Sequence, residues 1–294
     1  MKTPLDNVPV SSIDFSSATG KIDYTLMNDY MFHRVMERNQ NVLKGLLCSL
    51  LHLDPENILS LEILNPIDLG TAVDNKDYYL DIKISLNNHS FINLELQVRN
   101  EHNWPERSLV YLCRLFDNLH TGDDYTEVKP AFHIGILDFT LFPEQAEFYA
   151  SYKLLNEKNH RKYSDKFTLR VLDLTQIQIA TEEDKAYGLD RWAKLFKATT
   201  WEDFKMIAAD DKIMQEAGET VFKLNWTDSE RYMCEAREEA RRSWNTLHKL
   251  LANAEAELAE KNAIIAKRDS IIVEKDSIIA ELEATIADLK GNAK

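Results

Sequence analysis

The stretch YYLDIKISLNNHSFINLELQV, residues 78–98, contains two apolar runs on either side of a short polar linker. The runs YYLDIKISL (78–86) and FINLELQV (91–98) are rich in aromatic and branched residues, and the linker 87–90 reads NNHS. Two β-rich segments around so short a polar turn are typical of a β-hairpin. We therefore predict a hairpin here and use it to interpret the rest of the chain.

Two carboxylates interrupt the apolar runs of this hairpin. Because side chains alternate along a strand, Glu95 and Gln97 share one face of the second run. Asp81 lies among aromatic and aliphatic residues of the first run. A buried carboxylate must be paired, hydrogen-bonded or metal-bound, and two facing carboxylates repel each other unless a cation lies between them. The pattern favours a divalent cation, and Mg²⁺, which takes few carboxylates and several waters, fits it.

The shared site depends on the register of the hairpin. If residues 86 and 91 pair through a symmetric turn, Asp81 lies opposite Leu96, on the wrong face for Glu95. A pairing shifted by one residue, through a three-residue turn or a bulge, puts Asp81 beside Glu95 or Gln97. The metal-site hypothesis therefore predicts an irregular hairpin.

The surrounding sequence predicts a mixed α/β core. A helix begins at Asn28 or Asp29, either of which suits a cap, and runs to about Leu50 with apolar residues at helical spacing. A helix over about 104–120 follows the hairpin, and AFHIGILDF (131–139) suits a buried central strand. The order to residue 139 is α-β-β-β-α-β, a mixed sheet flanked by helices. Further elements are expected as a strand within 58–66, strands at 147–155 and 166–174, and helices over 186–222.

The C-terminal part has a heptad repeat. Its first seam position is held by apolar residues seven apart: Leu251, Leu258, Ile265, Ile272, Ile279 and Ile286. The second seam position carries Lys261, Arg268 and Lys275 in its middle, and a neighbouring apolar row consists of Ile264, Ile271 and Ile278. This pattern predicts a coiled-coil helix that assembles the chain into homo-oligomers, with the number of strands open.

Charge and cysteine content constrain the setting of the protein. The net charge of −14 opposes nucleic-acid binding, unless basic residues are concentrated at one cleft and a cation neutralises the carboxylates; charge alone leaves both readings open. The three cysteines are far apart and form no CxxC pair, which favours a reducing cytoplasm, and Cys48 and Cys113 are expected to be buried. No apolar run is long enough for a membrane helix, and we expect no membrane partner.

The ordered segments resemble a known nuclease superfamily. Asp81 followed by Glu95-Leu96-Gln97 in strand–turn–strand after a helix resembles the PD-(D/E)XK nucleases. More closely, NDYMFHRVM (28–36), the hairpin and the segment 106–139 resemble the Rpn family of recombination-promoting nucleases and transposases. The resemblance covers about residues 25–200. It implies a restriction-endonuclease-like mixed sheet and a Mg²⁺-dependent DNA endonuclease, with Mn²⁺ as a substitute ion, that hydrolyses phosphodiester bonds in recombination or transposition.

The resemblance implies roles for three residues of the hairpin. Asp81 and Glu95 would be the metal-binding carboxylates, and the Leu96 carbonyl a further ligand. Gln97 takes the position where the superfamily motif usually has lysine; a glutamine orients an attacking water by hydrogen bonding but cannot stabilise negative charge as an ammonium does.

Basic residues near the hairpin are candidates for DNA contact. Lys83 lies on the Asp81 face of its strand. Arg107 and Arg114, seven apart on one side of the following helix, suit either phosphate contacts or salt bridges to the protein's own acids. His102 and His133 have no ligand-like spacing, and we assign them no metal.

Two functional hypotheses follow, with one domain division. The first is the metal-dependent endonuclease, and the second is a catalytically weak or inactive nuclease fold that binds protein partners and is assembled by the coiled coil. The predicted domains are a disordered or loosely attached segment (1–24), a nuclease-like core (25–180), a helical extension (181–234) and a coiled-coil helix (235–290).

Overall fold

The computed structural model describes residues 14–64 and 82–291, with side chains to residue 286. Within these residues the chain is a mixed α/β protein. Its helices are α1 Asp29–Arg38, α2 Gln40–Leu51, α3 Trp104–Phe116, α4 Glu182–Ala186, α5 Leu189–Lys197, α6 Trp201–Ala208, α7 Lys212–Asn225 and α8 Asp228–Gly291. Its strands are β1 Leu61–Ile63, β2 Ile82–Leu86, β3 Ser90–Gln97, β4 Ala131–Leu137, β5 Tyr149–Lys153 and β6 Phe167–Asp173.

The six described strands form one mixed sheet in the order β1-β2-β3-β4-β6-β5. β3, β4 and β6 are parallel neighbours, while β1–β2, β2–β3 and β5–β6 pair antiparallel. Helix α3 connects β3 to β4, as a parallel pair requires a crossover. The predicted mixed sheet flanked by helices is confirmed.

The two faces of the sheet have different partners. One face carries Ile84, Leu94 and Ile136, which belong to the large core that also contains α1, α2 and α5 to α7. The opposite face is covered by α3, where Trp104 packs with Leu137, Val171 and neighbouring apolar residues. The carboxylate Glu95 belongs to the face under α3, because it alternates with the core-facing Leu94 and Leu96.

The first helix predicted from the sequence is two helices in the structure. Asn28 caps α1 by accepting a hydrogen bond from Met31 N at 3.1 Å. Asn39 then has an extended backbone (φ −131°, ψ 94°), and its side chain accepts from Asn41 N and Val42 N to cap α2. The periodicity hid this break because α1 and α2 both bury apolar residues in the same core.

Three further expectations differ from the structure. The segment 14–24 was expected to be loosely attached, but its Ile22 is 1% exposed and Phe15 packs edge-on against Phe204; residues 1–13 lie outside the described part. Cys113 is exposed because α3 turns Leu112, and not its neighbour, towards the sheet. For the same reason Leu109, expected on the packed face of that helix, is 49% exposed.

Contacts divide the chain into two compact units, one ending at Arg237 and the other beginning at Glu238. The second unit is helical, and its heptad residues Leu258, Ile265, Ile272 and Ile279 are each more than half exposed in the single chain. The long C-terminal helix is therefore present as predicted. Its pairing into a coiled coil stays a prediction.

Candidate functional site

The hairpin that carries the site has a shifted register. The pairs are Leu86 with Ser90, Ile84 with Ile92 and Ile82 with Leu94, so three residues form the turn. Asn87 and Asn88 both have φ of 54°, a conformation that asparagine tolerates well, and His89 N donates to Leu86 O at 3.0 Å. This is the irregular hairpin that a shared carboxylate site requires. Asp81 itself lies outside the described residues.

Glu95 is a buried carboxylate in the second strand of the hairpin. The residue is 3% exposed, in a strand whose other buried residues are mainly aliphatic. Gln97 Nε2 donates to Glu95 Oε1 at 2.6 Å, and Arg107 Nη2 lies 2.8 Å from the same oxygen. One carboxylate oxygen is thus fixed by an amide and a guanidinium, which offset the cost of burying the charge.

The crossover helix brings Arg107 to the sheet. Trp104, at the start of α3, lies against Gly135 of β4 so closely that a Cβ on Gly135 would be 2.1 Å from the indole ring. The absent side chain lets the first turn of α3 approach the strand beside Glu95. Arg107 follows one turn later, stacks over Tyr111 at 5.3 Å and also lies 3.7 Å from Glu101. Of the two earlier interpretations of Arg107, the structure shows the salt bridge to the protein's own acids.

A buried polar pair lies next to Glu95. His133 on β4 is opposite Asn93 on β3, and Asn93 Nδ2 is 3.0 Å from His133 Nδ1. His133 is fully buried, and its Nε2 lies 3.6 Å from Glu95 Oε2. Burial, with a smaller contribution from the charge of Arg107, lowers the pKa of His133 to about 3. The ring is therefore neutral at physiological pH.

Sequence reasoning missed Asn93 and His133 as parts of this site. We assigned His133 no metal because it has no ligand-like spacing to another residue. The available signal was different: each is a polar residue inside an otherwise apolar strand, and each proves to be on the face that carries Glu95. Only the parallel pairing of β3 with β4 places the two side by side.

The remaining predicted residues are distributed as follows. Lys83 is exposed and lies opposite Asn93, on the same face as Glu95. Arg114 is exposed two turns beyond Arg107, about 10 Å further along the helix axis.

The direction of the Leu96 carbonyl follows from the hydrogen bonds of β3. Phe91 N donates to Pro130 O and Asp138 N donates to Gln97 O, so odd-numbered residues of β3 bond β4. The Leu96 carbonyl consequently points towards the side of β2.

A comparison with family models identifies the family of the chain. The family model described as PD-(D/E)XK nuclease family transposase matches residues 26–249, about three quarters of the chain. The chain belongs to this family. Comparison with curated proteins and with solved structures finds no match. Among the described residues, no helix has both the length and the apolar character that crossing a membrane requires.

The donor set around Glu95 fits the divalent metals that PD-(D/E)XK nucleases generally use. The candidate ligands are carboxylate and carbonyl oxygens, the donors that Mg²⁺ and Mn²⁺ prefer. No cluster of three or more His, Cys, Asp or Glu side chains suited to a metal occurs within 14–64 and 82–291. A metal here would therefore need ligands other than such a cluster of described side chains.

Proposed function

We propose that this PD-(D/E)XK family protein is a metal-dependent DNA endonuclease that hydrolyses phosphodiester bonds and acts in DNA recombination or transposition. The observation that carries the proposal is the buried Glu95 on a hairpin of shifted register. A simple apolar core would have no use for a carboxylate there, whereas the family's chemistry depends on one.

Asp81, Glu95 and the Leu96 carbonyl would hold the ion, Mg²⁺ with Mn²⁺ as a substitute. If the pairing of Ile82 with Leu94 continues by one residue, Asp81 lies opposite Glu95. Even-numbered residues of β3 bond β2, so that pair would be a non-hydrogen-bonded one, in which facing side chains come closest. Such a pair suits two carboxylates that share one cation.

The bound ion would lower the pKa of a coordinated water and clamp a phosphate oxygen. Around it, Arg107 and Gln97 keep the Glu95 carboxylate in one orientation. The amide oxygen of Gln97 can accept a hydrogen bond from the attacking water, although the amide brings no positive charge to the phosphate. We therefore expect slower cleavage than a lysine in the same position would support.

DNA binding must overcome the acidic character of the chain. Lys83 is exposed on the face of Glu95 and Arg114 is exposed on α3, so both are proposed to contact phosphates. Arg107 is already engaged by Glu95, and its proposed role is mainly to hold the site. Joining several copies through the heptads of the C-terminal helix would multiply these weak contacts.

A plasmid nicking assay tests the proposed function. Wild-type protein with Mg²⁺ or Mn²⁺ should convert supercoiled plasmid to the nicked form, and Asp81→Ala and Glu95→Gln should abolish the conversion. Asp77→Ala, which removes a neighbouring acid with no proposed role, is the matched control and should nick like wild type. A clean wild-type preparation that nicks with neither ion would contradict the proposal.

One observation favours a second candidate, a nuclease fold that binds protein partners and cleaves weakly or not at all. The ion pair between Arg107 and Glu95 neutralises the buried carboxylate without a metal. This candidate predicts no Mn²⁺ binding in calorimetry and partner capture that depends on residues 240–290. Mn²⁺ binding that Asp81→Ala abolishes would exclude it.

We propose the same domain division and the same cellular environment that the sequence predicts. The change of compact unit at Glu238 supports a C-terminal coiled-coil domain beginning near residue 235. The core (25–180) and helical extension (181–234) form our proposed division of the rest. A reducing, cytoplasmic setting is proposed from the three separate cysteines, which are free thiols in the structure.

A further inference from the structure

The imidazole of His133 is a buried polar group beside Glu95 to which the proposed function assigns no role. Its Nε2 is buried and has no hydrogen-bond partner among the described residues, a costly state for a polar atom. Glu95 Oε2 lies 3.6 Å from this nitrogen, longer than a hydrogen bond but close enough for a strong electrostatic interaction. The position of the proton on the ring therefore decides whether this contact is attractive.

The hydrogen-bond partner of the other ring nitrogen, Nδ1, determines which nitrogen of His133 carries the proton. Asn93 Nδ2 lies 3.0 Å from His133 Nδ1, so the amide donates and Nδ1 accepts. A neutral imidazole with an accepting Nδ1 carries its proton on Nε2, which then points at the carboxylate. With the amide turned over, Nδ1 would carry the proton and the Nε2 lone pair would face Glu95, which is repulsive. The negative charge of Glu95 thus selects the first arrangement.

The ring cannot easily turn away from this contact. Trp104 lies 5.4 Å from it at an interplanar angle of 31°, and Tyr111 lies edge-on at 5.9 Å. Both aromatic residues belong to α3, which also supplies Arg107 to the other carboxylate oxygen. Arg107 therefore contacts one oxygen of the Glu95 carboxylate, and His133 faces the other.

We propose that His133, oriented by Asn93, is a positioning residue that directs its Nε2–H at Glu95 Oε2 and so holds the carboxylate ready to bind the divalent ion. The proposal rests on the proposed function, since it concerns the carboxylate assigned there to the metal. Partners that orient ligating carboxylates typically contribute about 10- to 100-fold to metal affinity. We therefore expect His133 to affect metal affinity without touching the ion.

The tautomer can be measured on the full-length protein without metal. In long-range ¹H–¹⁵N correlation spectra of ¹⁵N-histidine-labelled protein, with His133 assigned by its loss in His133→Gln, Nε2 should be protonated and Nδ1 unprotonated. A proton on Nδ1 would overturn the proposal, because Nε2 would then present a lone pair, as a metal-ligating histidine does.

Mn²⁺ affinity, measured by calorimetry, tests the consequence. His133→Phe keeps an aromatic ring between Trp104 and Tyr111 and should weaken Mn²⁺ binding about 10- to 100-fold. His133→Gln, which retains a donor, should lose less. In a Glu95→Gln background, His133→Phe should cause no further loss, because the histidine acts through that carboxylate.

Val171→Ala is the matched control, since Val171 is buried under α3 in contact with Trp104 but lies two strands from Glu95, with the side-chain-free Gly135 between them. It should leave Mn²⁺ affinity close to that of wild type. An equal loss in Val171→Ala, or no loss in His133→Phe, would overturn this proposal alone. Wild-type protein that binds no Mn²⁺ would overturn the proposed function as well.

Discussion

Glu95 shows how a single strand position combines burial with chemistry. Its carboxylate is almost inaccessible to solvent, yet Gln97 and Arg107 contact one oxygen and His133 faces the other. Burying a charge without partners costs several kcal/mol of folding free energy, so these neighbours are required for folding as well as for function. The Glu95 carboxylate must therefore be stabilised for folding and also remain available to a metal ion. Substitutions of its neighbours should separate these two demands.

Substituting Arg107 separates the two demands. Arg107→Met removes the cation beside Glu95 and should lower the free energy of unfolding without metal by about 2–4 kcal/mol, as for other broken buried pairs. Mn²⁺ affinity should rise, because the guanidinium no longer repels the incoming ion. Urea unfolding with and without Mn²⁺ measures both effects, and exposed Arg114→Met is the control. Lower Mn²⁺ affinity in Arg107→Met would show that Arg107 does not compete with the metal.

At the scale of elements, periodicity located most helices and strands but not their interruptions. The strands at 149–153 and 167–173 lie within the predicted segments, as do α5 and α6, whereas α4 begins before the predicted helical segment 186–222 and α7 extends three residues beyond it. The break at Asn39 was not predicted, because an asparagine is compatible with a helix interior until its side chain finds two backbone donors to cap. Whether it does so depends on how α2 packs.

The Asn39 cap has a measurable contribution to stability. Asn39→Ala removes the acceptor for Asn41 N and Val42 N and should lower the free energy of unfolding by about 1 kcal/mol. Asn41→Ala, on the exposed side of the same helix turn, is the control and should cost less. Chemical denaturation compares the two variants. Equal effects would indicate that the cap is not the source of the loss.

At the scale of the whole molecule, a buried ion pair joins residues 196 positions apart. Glu230, at the start of α8, accepts hydrogen bonds from Tyr30 and from Arg34, both on α1. Burial alone would raise the pKa of Glu230, but the hydrogen bonds from Arg34 and Tyr30 and the charges of Arg34 and Arg38 lower it below 4.5. This network joins α1 to the first turn of α8 within the first compact unit.

The lowered pKa of Glu230 predicts a pH dependence of stability. The carboxylate's contribution is fully present above its unfolded pKa, near 4.5, and is lost as the pH falls through the lower folded pKa. Glu230→Gln should cost about 3 kcal/mol at neutral pH and flatten the loss of stability in acid. Urea unfolding between pH 7 and pH 3 tests this, with exposed Glu219→Gln as the control of equal charge. An unchanged acid profile would contradict the assignment.

The second compact unit carries its own prediction. Ile272 lies on the apolar row of the heptads and is 54% exposed in the single chain, so covering this row drives the proposed assembly. Ile272→Asp should shift the molar mass measured by light scattering to that of a monomer. Ser270→Asp adds the same charge at the outward-facing heptad position and should leave the oligomer intact. A wild-type monomer at high concentration would contradict the coiled coil.

The sequence alone determined the local features of this protein. Alternating apolar residues specify the hairpin, a seven-residue repeat specifies the long helix, and the order of Asp81, Glu95 and Gln97 indicated the family, because each is a relation between residues close along the chain. Tertiary structure decided the register of the hairpin, the ion pair of Glu95 with Arg107 and the approach of His133. These depend on a positive-φ turn, a helix packed over Gly135 and a parallel strand pair, and no local pattern encodes where distant elements meet.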